Sequence, residues 1–288
     1  MTGSAASPAP PSMVERMTLI LGAFDGASPW LTLQQIADRS GLPRSTVHRI
    51  LDALCTLRWL DHTGGGYRLG MRSLELGGLA VAHNELREAT APLLHDLHLR
   101  TSTTAHLAVL DRLDIVYIDR VAGRHGAAVP TRVGGRTPAH ATAAGKAILA
   151  WTDPRQVESM YRANPLVVRT PRTLTTPAAL QQELVAVRAR GGLAYDREES
   201  SAGVACVAAP LRGSGRAVAA ISLTGEAKSI DLARLAPFVQ EAARQASVAL
   251  FPRDSAKRRP RTEEPVPSAW PPGALEEVLK GIGGDYWL

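Results

Sequence analysis

The chain has 288 residues, of which 45% are hydrophobic, 21% charged and 5% aromatic. That balance is globular and long enough for about two domains, which excludes a disordered or fibrous chain. No uncharged apolar run reaches the roughly 18 residues of a membrane span, and Met1–Ser12 lacks the basic start and apolar core of a secretory signal. Two cysteines, Cys55 and Cys206, are too few for a disulfide framework or a structural zinc site. A soluble cytoplasmic protein with no membrane association and no cofactor is the expectation. The net charge of +6 is a mild bias toward polyanions. Because lysine stands only at 146, 228, 257 and 280, nearly all of that base is arginine, whose planar fork suits phosphates and guanine edges.

Residues 1–12 are Ala-, Pro- and Ser-rich and read as a disordered leader. From there to residue 72 the pattern is three helices and a hairpin. Val14, Met17, Ile20, Leu21 and Phe24 recur at spacings of three and four, an apolar stripe on a first helix over Val14–Phe24. Thr32 heads a second helix, with Gln35 three residues on completing a capping box and Leu33, Ile36 and Ala37 forming its inner face. Gly41 ends it. Leu42 and Pro43 bridge to a third helix, Arg44–Leu57, whose inner face is Val47, Ile50, Leu51 and Leu54. Its other face carries Ser45, His48, Arg49 and Asp52 at i, i+3, i+4 and i+7.

Two helices across so short a break form a helix-turn-helix, whose second helix enters the DNA major groove with its N-terminal residues at the base edges. Arg44, Ser45, Thr46, His48 and Arg49 occupy that position. The helix is read as carrying Arg44, Arg49 and Arg58 against one acid, Asp52. Beyond Trp59 and Leu60, the run Asp61–Leu69 holds Gly64, Gly65 and Gly66 between apolar ends, a β-hairpin that turns the unit into a winged helix-turn-helix. Arg68 on the wing is a candidate phosphate contact. An ordinary solvated helix face is the alternative for the polar residues.

Residues 73–101 read as one long helical linker. Residues 102–251 alternate β-rich runs with helices, an α/β pattern. Strands are expected at Thr104–Leu110, Ile115–Val121, Ala205–Pro210 and Ala217–Leu223. Thr142 is a competent N-cap. It places the amides of Ala143, Ala144 and Gly145 in the first turn of a helix, where they lack helical partners and favour an anion. Close packing of small residues is the alternative there. Lys146 can attract an acid or be salt-bridged. His106, His140, Asp196 and Cys206 have ligand-type side chains, but no metal-ligand spacing joins them. From 252 to 288 the chain is Pro-rich and charged, with a basic cluster at Lys257–Arg261 and a short amphipathic stripe of Leu275, Val278, Leu279 and Ile282.

The stretch LTLQQIADRSGLPRSTVHRILDALCTLRWL, followed by GGGYRLG, resembles the winged-helix domain of the IclR-type bacterial transcription regulators. RVGGRTPAHATAAGKAILAW, YDREESSAGVACVAAPL and AVAAISLTG resemble that family's effector-binding domain, so that the likeness spans roughly residues 13–250. It implies an α+β multidomain protein with an N-terminal winged helix-turn-helix over 13–72, linker and dimerisation helices over 73–101 and a GAF-like α/β effector-binding domain over 102–251. It further implies a dimer or tetramer on a pseudo-palindromic duplex operator. The resemblance assigns Ala143, Ala144, Asp196, Cys206, Ser222 and Thr224 to an effector pocket, and the helix start with its neighbouring hydroxyls suits a small carboxylate. The reading is a regulator, a repressor rather than an activator, and not an enzyme. Two other functions stand beside it: a hydrolase-like enzyme using Cys206, His140 and Asp196, and a DNA-binding protein that takes no ligand.

Overall fold

In the computed structural model, residues 11–26, 28–82, 84–122, 130–213 and 215–252 are described. Contacts divide the chain into Met1–Leu250 and Phe251–Leu288, and nearly all of the second unit, with its basic cluster and amphipathic stripe, lies outside the described residues. So do residues 1–10 of the leader.

Local capping sets the first domain. Helix α1 (Met13–Gly22) starts at a Ser12–Glu15 capping box, and α2 (Leu33–Ser40) at the Thr32–Gln35 box read from the sequence, with Thr32 N–H donating to Gln35 Oε1 at 2.8 Å. Gly41 closes α2 at φ 67°, a left-handed geometry that glycine adopts without strain. Helix α3 (Arg44–Thr56) follows, and its inner residues Val47, Ile50, Leu51 and Leu54 join Ile20, Leu31, Ile36, Leu60 and Tyr67 in one core. Strands β1 (Leu60–Thr63) and β2 (Gly66–Leu69) form the wing, and Gly64 and Gly65 both take positive φ in its two-residue turn.

Three sequence expectations shift here. Helix α1 stops at Gly22 rather than Phe24, and Val14 is 75% exposed rather than buried. Arg58 is not on α3; it lies past the helix end with φ 61°. The linker is two helices, α4 (Met71–Ala82) and α5 (Glu85–Thr101), because Asn84 caps the second by accepting from Arg87 N–H.

The second domain is built on a six-stranded antiparallel sheet. Its strands are β3 (Thr104–Asp111), β4 (Asp114–Val121), β5 (Arg136–Pro138), β6 (Ala194–Arg197), β7 (Val204–Gly213) and β8 (Arg216–Glu226), in the spatial order β5-β4-β3-β8-β7-β6. Strand alternation splits the side chains between two cores. On one face Ala105, Leu107, Val207, Ile221 and Leu223 pack with Leu94 and Leu97 of α5 and Val239 and Ala243 of the last helix, α9 (Leu232–Leu250). Ala108, Tyr117, Ala208 and Ala220 face the other way, against α6 (Ala143–Leu149), α7 (Pro154–Arg162) and α8 (Pro177–Ala189). A winged helix-turn-helix followed by a layered α/β domain is therefore the architecture, as the sequence led one to expect.

Candidate DNA-binding surface and effector pocket

The outer face of α3 carries Arg44, Ser45, His48 and Arg49 in solvent, with Thr46 partly covered. Arg44 and Arg49 make no side-chain hydrogen bond or ion pair among the described residues, so their guanidinium forks are free for an outside acceptor. His48 is not free in this way: its Nδ1 lies 3.2 Å from Asp52 Oδ2, one turn on. On the wing, Arg68 Nε donates to Asp61 at 3.1 Å while its guanidinium sits 4.9 Å from the Trp30 ring centroid. That arrangement holds Arg68 beside the wing and leaves it half exposed.

An arginine fork joins the two domains. Arg132, in the segment before β5, donates from Nε (3.2 Å) and Nη2 (2.9 Å) to the Asp25 carbonyl in the loop between α1 and α2. Arg39 of α2 meets the Asp25 carboxylate at 3.1 Å and the Ala23 carbonyl at 2.9 Å. One residue before Arg132, Thr131 Oγ1 lies 2.8 Å from Nε2 of His106, a residue of the central sheet.

The sheet face beneath α6 holds an unusual load of polar groups. Register sets them in two cross-strand rows. Thr104, Thr224, Cys206 and Asp196 form one, each paired with the next across β3, β8, β7 and β6. Arg120, His106 and Ser222 form the other, across β4, β3 and β8. Thr104, His106, Asp196, Ser222 and Thr224 are all buried. Cys206 Sγ lies 3.0 Å from Thr224 Oγ1, which is in turn 3.4 Å from His106 Nδ1. Asp196 accepts from the amides of Glu199 (2.7 Å) and Ser200 (3.3 Å) and from the Ser200 hydroxyl (2.5 Å). Three of its four lone-pair positions are thus taken within the chain, leaving little for a ligand hydroxyl.

Burial controls the charge of this face. It pushes the Asp196 carboxyl above its ordinary value, against the opposing pull of the Ser200 hydroxyl, and drives the Cys206 thiol far up. His106 falls to about 3, first through burial and then through the positive charge of Arg120, so its imidazole is neutral.

Helix α6 roofs these rows. Thr142 caps it as expected, and its Oγ1 accepts the Gly145 amide at 3.0 Å. The sequence reading counted that amide as free; the ones still without a partner among the described residues are those of Ala143 and Ala144. Gly145 is required by packing, since a Cβ there would collide with the backbone of Ala139. Lys146 is fully buried and clamped by both oxygens of Glu199, at 2.6 and 2.7 Å, with Glu183 at 3.9 Å. Sequence reasoning missed Thr104, Arg120 and Glu199. The alternation of Thr104 with His106 was legible, but their pairing with Ser222 and Thr224 is a matter of register.

The thiol, imidazole and carboxylate considered for hydrolysis do not make a catalytic set. A thiol raised by burial is a poor nucleophile. His140 hydrogen-bonds the Val167 carbonyl at 3.1 Å and stacks edge-on to Tyr161, with no hydrogen bond to Cys206 among the described residues. No group of three or more His, Cys, Asp or Glu among the described residues is arranged to hold a metal, and no helix among them is long and apolar enough to cross a membrane.

Residues 13–64 match the model of the IclR helix-turn-helix domain, and residues 78–248 that of the bacterial transcriptional regulator IclR C-terminal domain. The chain belongs to the IclR family of bacterial DNA-binding transcriptional regulators. It is 36% identical over 240 residues to the HTH-type transcriptional regulator XynR of Escherichia coli, covering 82% of this chain and 94% of XynR. To the transcriptional repressor IclR of the same organism it is 31% identical, over 76% of this chain and 82% of that one. An IclR homolog from Microbacterium hydrocarbonoxydans, solved in complex with 4-hydroxybenzoate, superposes with a TM-score of 0.71 at 29% identity, covering 83% of this chain and 99% of that one. These relatives are regulators, not enzymes, and the same holds for this protein.

Proposed function

We propose that the protein is a homo-oligomeric cytoplasmic repressor whose C-terminal domain binds a small carboxylate and thereby changes its affinity for a pseudo-palindromic operator. The observation that carries this reading is the pair of polar rows beneath α6: five buried polar residues gathered on one face of a sheet whose other face is mainly apolar. A fold gains little from polar groups gathered in a core, whereas a ligand site needs them. Ser222, Thr224 and Cys206 would line the site, Asp196 would border it, and the Ala143 and Ala144 amides would donate to a ligand oxygen. The ligand of the Microbacterium homolog carries a carboxylate, a ring and a hydroxyl, and a relative named as a repressor sets the expected sign of control.

In this reading Arg44, Ser45, Thr46 and Arg49 read the operator, while His48 and Arg68 flank the backbone. Helix α4 supports a dimer, because Met71, Leu74, Leu76 and Leu79 are all exposed on it at 46–68%. The Thr131–Arg132 segment is the route by which the pocket biases the DNA-binding domain. A ligand that prefers one placement of the two domains shifts their equilibrium by that difference in affinity.

The test is a thermal-shift screen of the full chain against small carboxylates, followed by mobility shifts on the DNA upstream of its own gene. A true effector at a hundredfold excess over its Kd stabilises by about 2.7 kcal/mol and alters the retained fraction of DNA. Sequence-selective retention that no carboxylate alters would leave a ligand-independent DNA-binding protein.

A further inference from the structure

We infer that Arg120 is the counter-charge of the sensor, fixing the effector with its anionic end toward β4 and its other end toward the start of α6. The inference rests on the carboxylate reading of this same pocket. A small anion leaving water for a buried face needs a compensating charge, because hydrogen bonds alone leave much of its desolvation unmet. The described residues offer few candidates. Lys146 is neutralised by Glu199 at 2.6 Å, and Glu183 stands behind it. Asp196 repels an anion. Helix α6 has only seven residues, and one of its first-turn amides is already bonded to Thr142.

Arg120 differs from all of these. It pairs with His106 across β3 and β4, and His106 reaches Thr224, so the three side chains share the face beneath α6. Its Nε is buried without a hydrogen-bond partner, and its guanidinium makes no ion pair among the described residues. No acid occurs between Ala122 and Pro130, the segment that follows it, so the adjoining chain supplies no carboxylate either. A second observation points to the same corner. Thr104, 1% exposed and diagonal to Arg120 on the neighbouring strand, also has a buried hydroxyl with no partner. An unmet guanidinium N–H and an unmet hydroxyl on adjacent strands suit one oxyanion, the guanidinium giving a charge-assisted bond and the hydroxyl a second donor. His106 is neutral and adds no competing charge.

The experiment is calorimetric titration of the full-length protein with acetate, lactate, benzoate and 4-hydroxybenzoate, each beside its matched amide, on wild type, Arg120→Gln, Arg120→Lys and Thr104→Val. The expected result is a carboxylate that binds wild type at least tenfold more tightly than its amide. Arg120→Gln abolishes that preference, Arg120→Lys keeps part of it and Thr104→Val weakens it. Unliganded melting temperatures close to wild type show that the variants are folded. Equal binding of the carboxylate by wild type and Arg120→Gln overturns the role of Arg120 and leaves the carboxylate sensor standing. If amides bind as well as acids, or no acid in the panel binds wild type, the carboxylate reading fails and the assignment of Arg120 fails with it.

Discussion

Lys146 and Glu199, 53 positions apart, are joined by a bidentate contact in which Nζ lies 2.6 and 2.7 Å from the two carboxylate oxygens. The pair ties the middle of α6 to the segment after β6, next to Asp196. Burial still pushes the Glu199 carboxyl above its ordinary value, Lys146 opposing it, so the pair is held by geometry rather than by a large net gain. Removing one partner leaves a buried charge behind. Lys146→Met is expected to destabilise by about 3 kcal/mol, lowering the melting temperature by about 6–12 °C. The double variant Lys146→Met/Glu199→Leu is expected to recover most of that loss. Additive losses in the two single variants and the double would show that the residues do not act as a pair.

The buried imidazole is expected to make the α/β domain acid-sensitive. His106 titrates at about 3 in the fold and near 6.5 when the chain is unfolded. Its folded value is depressed, so its contribution to stability is complete above pH 6.5 and is lost as the pH falls toward 3. By pH 5 the loss is about 2 kcal/mol. Asp196 and Glu199 act the other way. Their raised values favour the fold at low pH, and that contribution is lost as the pH rises through them. Melting curves of His106→Gln are therefore expected to fall less than wild type between pH 7 and pH 5. A variant that follows the wild-type curve would mean that the imidazole titrates normally in the fold.

What the sequence made legible was whatever is encoded within a few residues. The Thr32–Gln35 box, the Gly41 stop and the Thr142 cap are local, and all three occur where the pattern placed them. Asn84 followed by Glu85 is a cap signal of the same kind, set in a stretch with so few helix breakers that it reads as one helix. Val14 shows the opposite limit: periodicity identifies an apolar face without saying what covers it. The polar rows beneath α6 were legible only as separate residues. Thr104 and Arg120 acquire meaning from the register of β3 with its two neighbours, and Glu199 from a contact with a helix far back in the chain.

Arg44 and Arg49 differ from Arg39, His48 and Arg68 in having no side-chain partner among the described residues. Alanine at a base-reading arginine is expected to cost about 1–3 kcal/mol and to relax preference at one operator position. At a phosphate-contacting one it weakens all sequences alike and lowers the salt slope by about one. Arg68, already engaged by Asp61 and Trp30, is expected to show the smaller effect. Mobility shifts at several salt concentrations on a selected site and its point variants separate these outcomes. Unchanged binding by both Arg44→Ala and Arg49→Ala would remove α3 from the interface.

The Arg132 fork gives a way to separate sensing from DNA binding. It holds a backbone carbonyl in the loop between α1 and α2 and touches neither the polar rows nor α3. Both partners are exposed, so Arg132→Ala is expected to change stability by less than about 1 kcal/mol. It is also expected to leave effector affinity and unliganded operator affinity near wild type. What should fall is their coupling: the factor by which effector changes operator affinity moves toward one. By linkage, the factor by which operator changes effector affinity falls equally. Measuring both factors on one variant is a strict test, since loss of one without the other violates the cycle. Full coupling retained in Arg132→Ala would place the route between the domains elsewhere, through α4 and α5.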